Sequence, residues 1–470
     1  MKKCVLIILV FSLCIFPHCN TKVIQSKKAW DTAVADPAAA HLARPTKVQY
    51  NWQEMERAMF VQLDPATLQQ GEYDNGTTKL EDIRFEKLDV NEWCDVAKSW
   101  GAKEVVFMLA HSGGFCMWPS ATTKYHIGNT SYKNGKGDVV KDFAAACRTH
   151  GLMAGFYLWS PHTPDVAKEY NFVNAGYKYT PVNTMEESNA ILRQRLREIH
   201  QRLGSDLVRE VWFDHPRHVS ASQEMKELFP EAVVMAAACI DPLPTIRWPG
   251  TETGKVKDPC WSTLKKDFLD SRKYPEIKDN QMQDQSVDDP DGDYWAPHEA
   301  DVPLHDHFWH MRPDALNHRL SVAALMDCYE KSVGRNSFLI LNCAPMPDGS
   351  IHPDDIKRYR EFGEEIDRRF GHPIALTEQV PGNTIMLDLG GMKNIGYTDL
   401  WEDYRYGQRI REYVIEGFDG NTWIELARGT SVGHRKIDPV TAKSATKVRV
   451  RITKSVGTPL IRKFQVHSPS

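Results

Sequence analysis

The chain of 470 residues contains no Cys-x-x-Cys pair among its ten cysteines, which removes the ligand spacing of a zinc ribbon and the thioredoxin-type redox motif. It carries no basic excess: 58 Lys and Arg stand against 62 Asp and Glu, a net charge of −4, so the electrostatic footprint of a nucleic-acid binder is missing. No Gly-rich phosphate loop follows a strand-like run, which leaves a nucleotide-binding doubly wound sheet without its signature. Beyond the first twenty residues no apolar stretch is long enough to span a bilayer. Internal repeats and low-complexity tracts are absent. What is present is the composition of a folded protein, with 41 % hydrophobic and 10 % aromatic residues. Length alone suggests three domains, but α/β barrels often form a single domain of more than 200 residues.

Lys2 and Lys3 precede an almost wholly apolar run from Val5 to Pro17. Thirteen residues are too few for a spanning helix and fit the core of a signal peptide. Residues 1–19 are therefore expected to be an address. The mature chain is expected to be exported, and periplasmic or outer-membrane-associated. Cys14 and Cys19 are candidates for a lipid anchor, although Phe16-Pro17-His18 lacks the small residues expected before a lipid-bearing cysteine. Seven cysteines remain (94, 116, 147, 239, 260, 328 and 343), an odd and scattered set that reads as small core hydrophobes.

From residue 45 to 370 short apolar runs alternate with helical patterns. The strand candidates are Met59–Leu63, Glu104–Ala110, Met153–Trp159, Val211–Asp214, Val233–Ala237 and Ser337–Cys343. Between them lie helices such as the one opening at Asp138, with Val139, Val140, Phe143 and Cys147 on one face and Gly151 at its end. Repeated βα units of this kind, about eight in number, predict a (β/α)8-like barrel. Residues 253–300 hold Gly, Pro and Asp with few apolar runs and read as long loops on one barrel face. From 373 to 470 the pattern becomes short alternating runs broken by turns, which predicts a C-terminal antiparallel β-sandwich.

In such a barrel, reactive groups gather at the carboxyl ends of the strands. Asp214 closes the apolar run Glu210-Val-Trp-Phe-Asp214, and Trp212 points to the same side two residues earlier. Glu252 follows 38 residues later, about one βα unit further round. Two carboxylates from neighbouring strand ends suit retaining glycoside hydrolysis, one as nucleophile and the other as acid/base. Glu299 is a rival acid. Trp118, Tyr157, Trp159, Trp212, Trp248, Trp295 and Trp309 offer flat faces for sugars or simply fill the core. His305, His307 and His310 form a His-x-His-x-x-His run that a metal could use, but the run comes late in the chain and reads better as lining the pocket.

Together these residues resemble glycoside hydrolase family 29, the α-L-fucosidases, and more closely its branch acting on α-1,3/1,4-linked fucose. The matching segments include Asn51-Trp-Gln-Glu54, Gly114-Phe-Cys-Met-Trp-Pro-Ser120, Gly135 to Phe143, Glu210 to Asp214, Arg247-Trp248, Trp261-Ser262, Ser332-Val-Gly-Arg-Asn336 and Ile351 to Phe362. Gly407-Gln-Arg-Ile410, Trp423 and Lys447-Val-Arg449 resemble the galactose-binding-like sandwich of that branch. The resemblance implies Asp214 as nucleophile, Glu252 as acid/base, and sugar contacts from Tyr157 and from Glu72-Tyr73. It also implies departures. Ala110-His-Ser-Gly-Gly-Phe115 stands where the family has Lys-His-His-Asp-Gly-Phe, so His111 is kept while Ser112 and Gly113 replace His and Asp. Gln62 replaces another sugar-binding His, and Thr251 an Asn before the acid/base. The expected site thus comprises Asp214 and Glu252, with Gln62, Glu72, Tyr73, His111, Ser112, Trp118, Tyr157, Trp212, Trp248 and Glu299 around the sugar. The expected partner is an oligosaccharide or glycan, and neither a cofactor nor a metal is called for. A non-catalytic carbohydrate-binding relative and a metal-dependent hydrolase are the alternative readings.

Overall fold

The computed structural model describes residues 27–159, 184–214, 220–236, 241, 243–269 and 287–469. The expected signal segment with its cysteines, Cys239, Ala237 and the centre of the 253–300 stretch lie outside the described residues.

Seven strands form one parallel sheet: β1 Arg57–Val61, β2 Glu104–Ala110, β3 Met153–Trp159, β4 Val208–Asp214, β5 Val233–Ala236, β8 Glu299–Pro303 and β9 Phe338–Cys343. Their order is β5-β4-β3-β2-β1-β9-β8. Between the two edge strands, Ile246 and Arg247 make single parallel bridges to Met235 and His298, respectively. The ring expected from eight βα units is therefore closed by seven full strands and one two-residue segment. The intervening β6 Thr263–Leu264 and β7 Tyr294–Trp295 pair antiparallel outside this sheet.

Both faces of the parallel sheet are covered, which is why its strands read as continuous apolar runs. Alternate residues nevertheless divide cleanly. Phe60, Val106, Met108, Tyr157, Trp212, Met235, Phe338 and Ile340 pack together inside the barrel. Met59, Val105, Phe107, Phe156, Val211, Leu339 and Leu341 face the outer layer. The helix Val139–His150 starts where the Asp138 carboxylate accepts from Lys141 N at 3.0 Å and ends at Gly151, whose φ of +68° favours glycine. The helix Met185–Leu203 is capped by Thr184 and buries Leu192, Leu196, Ile199 and Leu203.

After the helix Pro353–Phe370, six antiparallel strands follow: β10 Ala375–Pro381, β11 Thr384–Glu402, β12 Ile410–Phe418, β13 Trp423–Gly429, β14 Lys436–Ser455 and β15 Leu460–His467. The two long strands β11 and β14 shift register between Asp388 and Lys393 and wrap a core of Ile385, Leu387, Leu400, Tyr413, Ile415, Val448, Val450 and Phe464. A buried ionic network joins this part to the barrel. His434 lies between Glu54 at 3.1 Å and Glu56 at 3.0 Å, Arg435 pairs with Asp399 at 2.8 Å, and Arg462 pairs with Glu54 at 2.7 Å. The 253–300 stretch is not simply a set of free loops. Gln408 Oε1 accepts from Ser262 N, and Ser431 Oγ donates to Cys260 O, tying it to the sandwich. Six cysteines among the described residues are unpaired and buried, in keeping with a core role. No described helix is long and apolar enough to cross a membrane.

Candidate active site

The inner-face alternation of the strands runs out at their carboxyl ends in polar residues. Asp214 is the last residue of β4, Asp301 lies on β8 and Asn342 on β9, and Gln62 directly follows β1. Beneath them Phe60, Tyr157 and Trp212 form an aromatic floor, with Tyr157 and Trp212 ring centres 6.4 Å apart. Trp212 also donates to Glu210, so it supports the site from below. Tyr157 is buried, and its hydroxyl donates to Asp214 Oδ2 at 2.5 Å. Burial, reinforced by the Asp214 charge, pushes the phenol well above its ordinary range and keeps it a donor.

Glu252 stands at the rim, on the loop that leaves the Ile246–Arg247 segment, and its Oε2 accepts from Trp309 Nε1 at 2.9 Å. Its carboxyl is pushed above the ordinary range, first by loss of solvent around it. The Trp309 N–H opposes the shift, and the charges of Asp214 and Glu72 add to it. Asp214, Glu252 and Glu72 therefore belong to one pocket. Asp301 is a third acid beside the pair. It is buried and accepts from Trp248 Nε1 at 2.7 Å. Burial and then the Glu252 charge push it well upward. Trp248 is thus fixed by Asp301.

The opposite wall is built from His111, whose ring packs edge-on against Trp159 at 4.8 Å and lies 5.7 Å from Tyr157. Exposed Tyr73 stacks on His111 at 5.7 Å and 5°, forming the lip. Ser112 Oγ lies 3.4 Å from His111 Nδ1. Glu72 accepts from Trp309 N at 3.1 Å. The glycine at 113 has a steric reason: a Cβ there would stand 2.0 Å from Asp74 Oδ2. Asp74, from the Glu72-Tyr73 loop, fills that space and is held by Gln69, Gly76 and Tyr125. A carboxylate near this loop is therefore retained, but from another part of the chain.

Two expected sugar contacts lie elsewhere. Glu299 is the first residue of β8, at the amino-terminal end, and interacts there with buried Glu210 and Glu104. It is not beside Asp214, because it stands one inner-face position below Asp301. Trp118 is fully buried in the outer layer, where its Nε1 donates to Glu198 Oε2 at 2.8 Å and clamps the helix Met185–Leu203. The three late histidines do not converge. His305 pairs with buried Asp355 at 3.1 Å, His307 is exposed, and only His310 enters the site, next to Asp64 and His111. The sequence pattern assigns no role to Asp64, Asp301 or Asn342; it offers Trp309 only as one of seven aromatics and His310 only as one of three histidines. Asp301 was within reach, since it lies two residues beyond Glu299 and must share its face once that segment is a strand.

Residues 35–368 match the sequence profile of the α-L-fucosidase family. The chain is similar to α-L-fucosidase 1 of Arabidopsis thaliana, 27 % identical over 445 residues that cover 84 % of this chain and 81 % of the relative. A glycoside hydrolase 29 family member from an unknown rumen bacterium is 29 % identical, with 92 % of this chain and 78 % of that one superposed at a TM-score of 0.77. A Ruminococcus gnavus GH29 fucosidase solved in complex with fucose shares the fold at 22 % identity, over 94 % of this chain and 98 % of its own, with a TM-score of 0.76. The profile spans the whole parallel sheet and both carboxylates of the pocket, and the chain belongs to the α-L-fucosidase family of glycoside hydrolases.

Proposed function

We propose that this protein is an exported, retaining exo-α-L-fucosidase acting on terminal α-L-fucosyl groups of glycans, with α-1,3/1,4 linkages as its preferred class. The observation that carries the reading is the pairing of two differently served carboxylates in one pocket. Asp214 receives the Tyr157 hydroxyl, and Glu252 is pushed upward at the rim where an aglycone leaves. In this reading an Asp214 oxygen attacks the anomeric carbon while the glycosidic C–O bond breaks and Glu252 gives its proton to the departing oxygen. Water then attacks the anomeric carbon, its proton returns to Glu252, and the bond to Asp214 breaks. Two inversions leave the α configuration. Trp248, held by Asp301, and Tyr73, on the lip, offer ring faces to the sugar and aglycone.

Ser112 and Gln62 leave the hydroxyl-binding wall differently built from the family pattern, so an L-sugar with an extra hydroxyl, such as L-galactose, is a competing substrate. The test is hydrolysis of 4-nitrophenyl α-L-fucoside and α-L-galactoside followed by proton NMR. Early appearance of the α-anomer supports the reading. The β-anomer first, or inertness toward both glycosides, contradicts it.

A further inference from the structure

The pocket wall that carries His111 and Glu72 contains a group that the two-carboxylate chemistry does not use. His310 is buried to 1 % exposure, yet neither ring nitrogen completes a hydrogen bond with the protein. Its Nε2 is 3.3 Å from Asp64 Oδ1 and its Nδ1 3.7 Å from Glu72 Oε2, contacts of charge rather than of hydrogen-bond geometry. Its ring lies 5.5 Å from that of His111. It is not alone in lacking partners. Asp64 Oδ2 and Asn342 Oδ1 are also buried without a hydrogen bond, and Glu72 Oε1 has only an ion-pair contact, 3.5 Å from Arg312. Asn342 is tied to the same place, because its Nδ2 donates to the Trp309 carbonyl at 2.9 Å.

Buried polar atoms without partners cost about 1–3 kcal/mol each, and native proteins keep few of them. Several in one wall of a pocket, donors and acceptors mixed, match a ligand that carries several hydroxyls. The chain path places them well. Trp309 holds Glu252 through its indole and Glu72 through its backbone N–H, so the next residue is fixed relative to both. We propose, resting on the fucosidase reading, that His310 is a sugar-contacting, specificity-determining residue that donates hydrogen bonds to hydroxyls of the bound L-sugar, with Asp64 holding it in place. Burial works against its charge, but Asp64 and then Glu72 outweigh it and raise the imidazole to about 9. At neutral pH it is a double donor with no acceptor. That character suits hydroxyl oxygens. It also disfavours a metal, which needs an unprotonated nitrogen, although Asp64, His111 and His310 have ligand atoms within 4.8 Å of one another.

The experiment compares wild type, His310→Ala, the charge-neutral double variant Asp64→Asn/His310→Gln, and His372→Ala at an exposed control position away from the pocket. The substrates are 4-nitrophenyl α-L-fucoside and its monodeoxy analogues. Replacing His310 alone strands the Asp64 charge, which is why the double variant is included. The expected result for both His310 variants is a ~10- to 100-fold loss in kcat/KM on the parent sugar, the size expected when one buried partner of a substrate hydroxyl is removed. The loss should vanish for the deoxy analogue lacking the contacted hydroxyl. His372→Ala should match wild type. Equal losses on every analogue would mean a structural role and would overturn the proposal, as would unchanged kinetics. Activity that EDTA abolishes and zinc restores would assign the cluster to a metal instead. A wild-type protein inert toward the parent fucoside would overturn the fucosidase reading itself, and this inference with it.

Discussion

The hydroxyl of Tyr157 lies 2.5 Å from Asp214 Oδ2, one strand away and one inner-face step below. A bond this short, from a phenol that burial keeps protonated, stabilises negative charge on Asp214 in the free enzyme. In the proposed mechanism it also fixes the oxygen that attacks the sugar.

Tyr157→Phe keeps the ring in the aromatic floor and removes only this donor. A hydrogen bond to a charged group is worth about 1.5–3 kcal/mol. The variant should therefore lose ~10- to 100-fold in kcat/KM, with thermal stability close to wild type. Steady-state kinetics and a melting curve check both parts. A loss below threefold would show that the contact is incidental.

Trp309 acts on the other carboxylate. Its indole N–H stabilises ionised Glu252 and opposes the upward push of lost solvent and neighbouring charge. In Trp309→Phe the Glu252 carboxyl should titrate higher still. In the proposed mechanism the acid form protonates the leaving group, so the alkaline limb of the kcat/KM profile should move to higher pH. A limb that stays in place, or moves down, would separate Glu252 from the limiting protonation.

Far below the pocket, Glu104, Glu210 and Glu299 share the barrel interior. Burial raises all three, Glu210 to about 7, despite the donors Trp52 and Trp212. Their folded-state pKa values lie above those of the unfolded chain, so the folded state holds more protons. The stability they contribute is complete below the ordinary carboxylate range and is lost as pH rises from about 4.5 through about 7. Glu299→Gln removes one titrating member at nearly constant volume. Its melting temperature should gain on wild type progressively across that window, and a constant difference with pH would refute the coupling.

Glu299 also shows where the sequence stopped being legible. Strands β2 and β3 are readable to the residue, because both faces are covered and seven consecutive positions are apolar or shielded. Strand β8, Glu299-Ala-Asp-Val-Pro303, has two acids, a proline and no apolar run. Without the strand, the sequence cannot say that Glu299 sits at its lower end and Asp301 near the pocket. The two-residue closure at Ile246–Arg247 leaves no periodic pattern at all. The placement of Asp214 at a strand end and of Glu252 on a neighbouring loop is readable from the sequence because each ends a recognisable run or motif. That of His310 is not. Its neighbours in sequence, His305 and His307, point to a buried ion pair and to solvent, so a local pattern of three histidines carries no common purpose. Trp118 misled for a related reason, since an aromatic near a strand end looks alike whether it faces sugar or, as here, Glu198.

The proposed mechanism turns on a covalent bond between Asp214 and the sugar. The most direct measurement is inactivation with 2-deoxy-2-fluoro-α-L-fucosyl fluoride, followed by mass spectrometry of the proteolysed protein. One fucosyl adduct per chain is expected, on the peptide containing Asp214, formed also by Glu252→Ala and absent from Asp214→Ala. An adduct on Glu252, Glu72 or Asp301, or turnover of fucosides by Asp214→Ala at the wild-type rate, would contradict it.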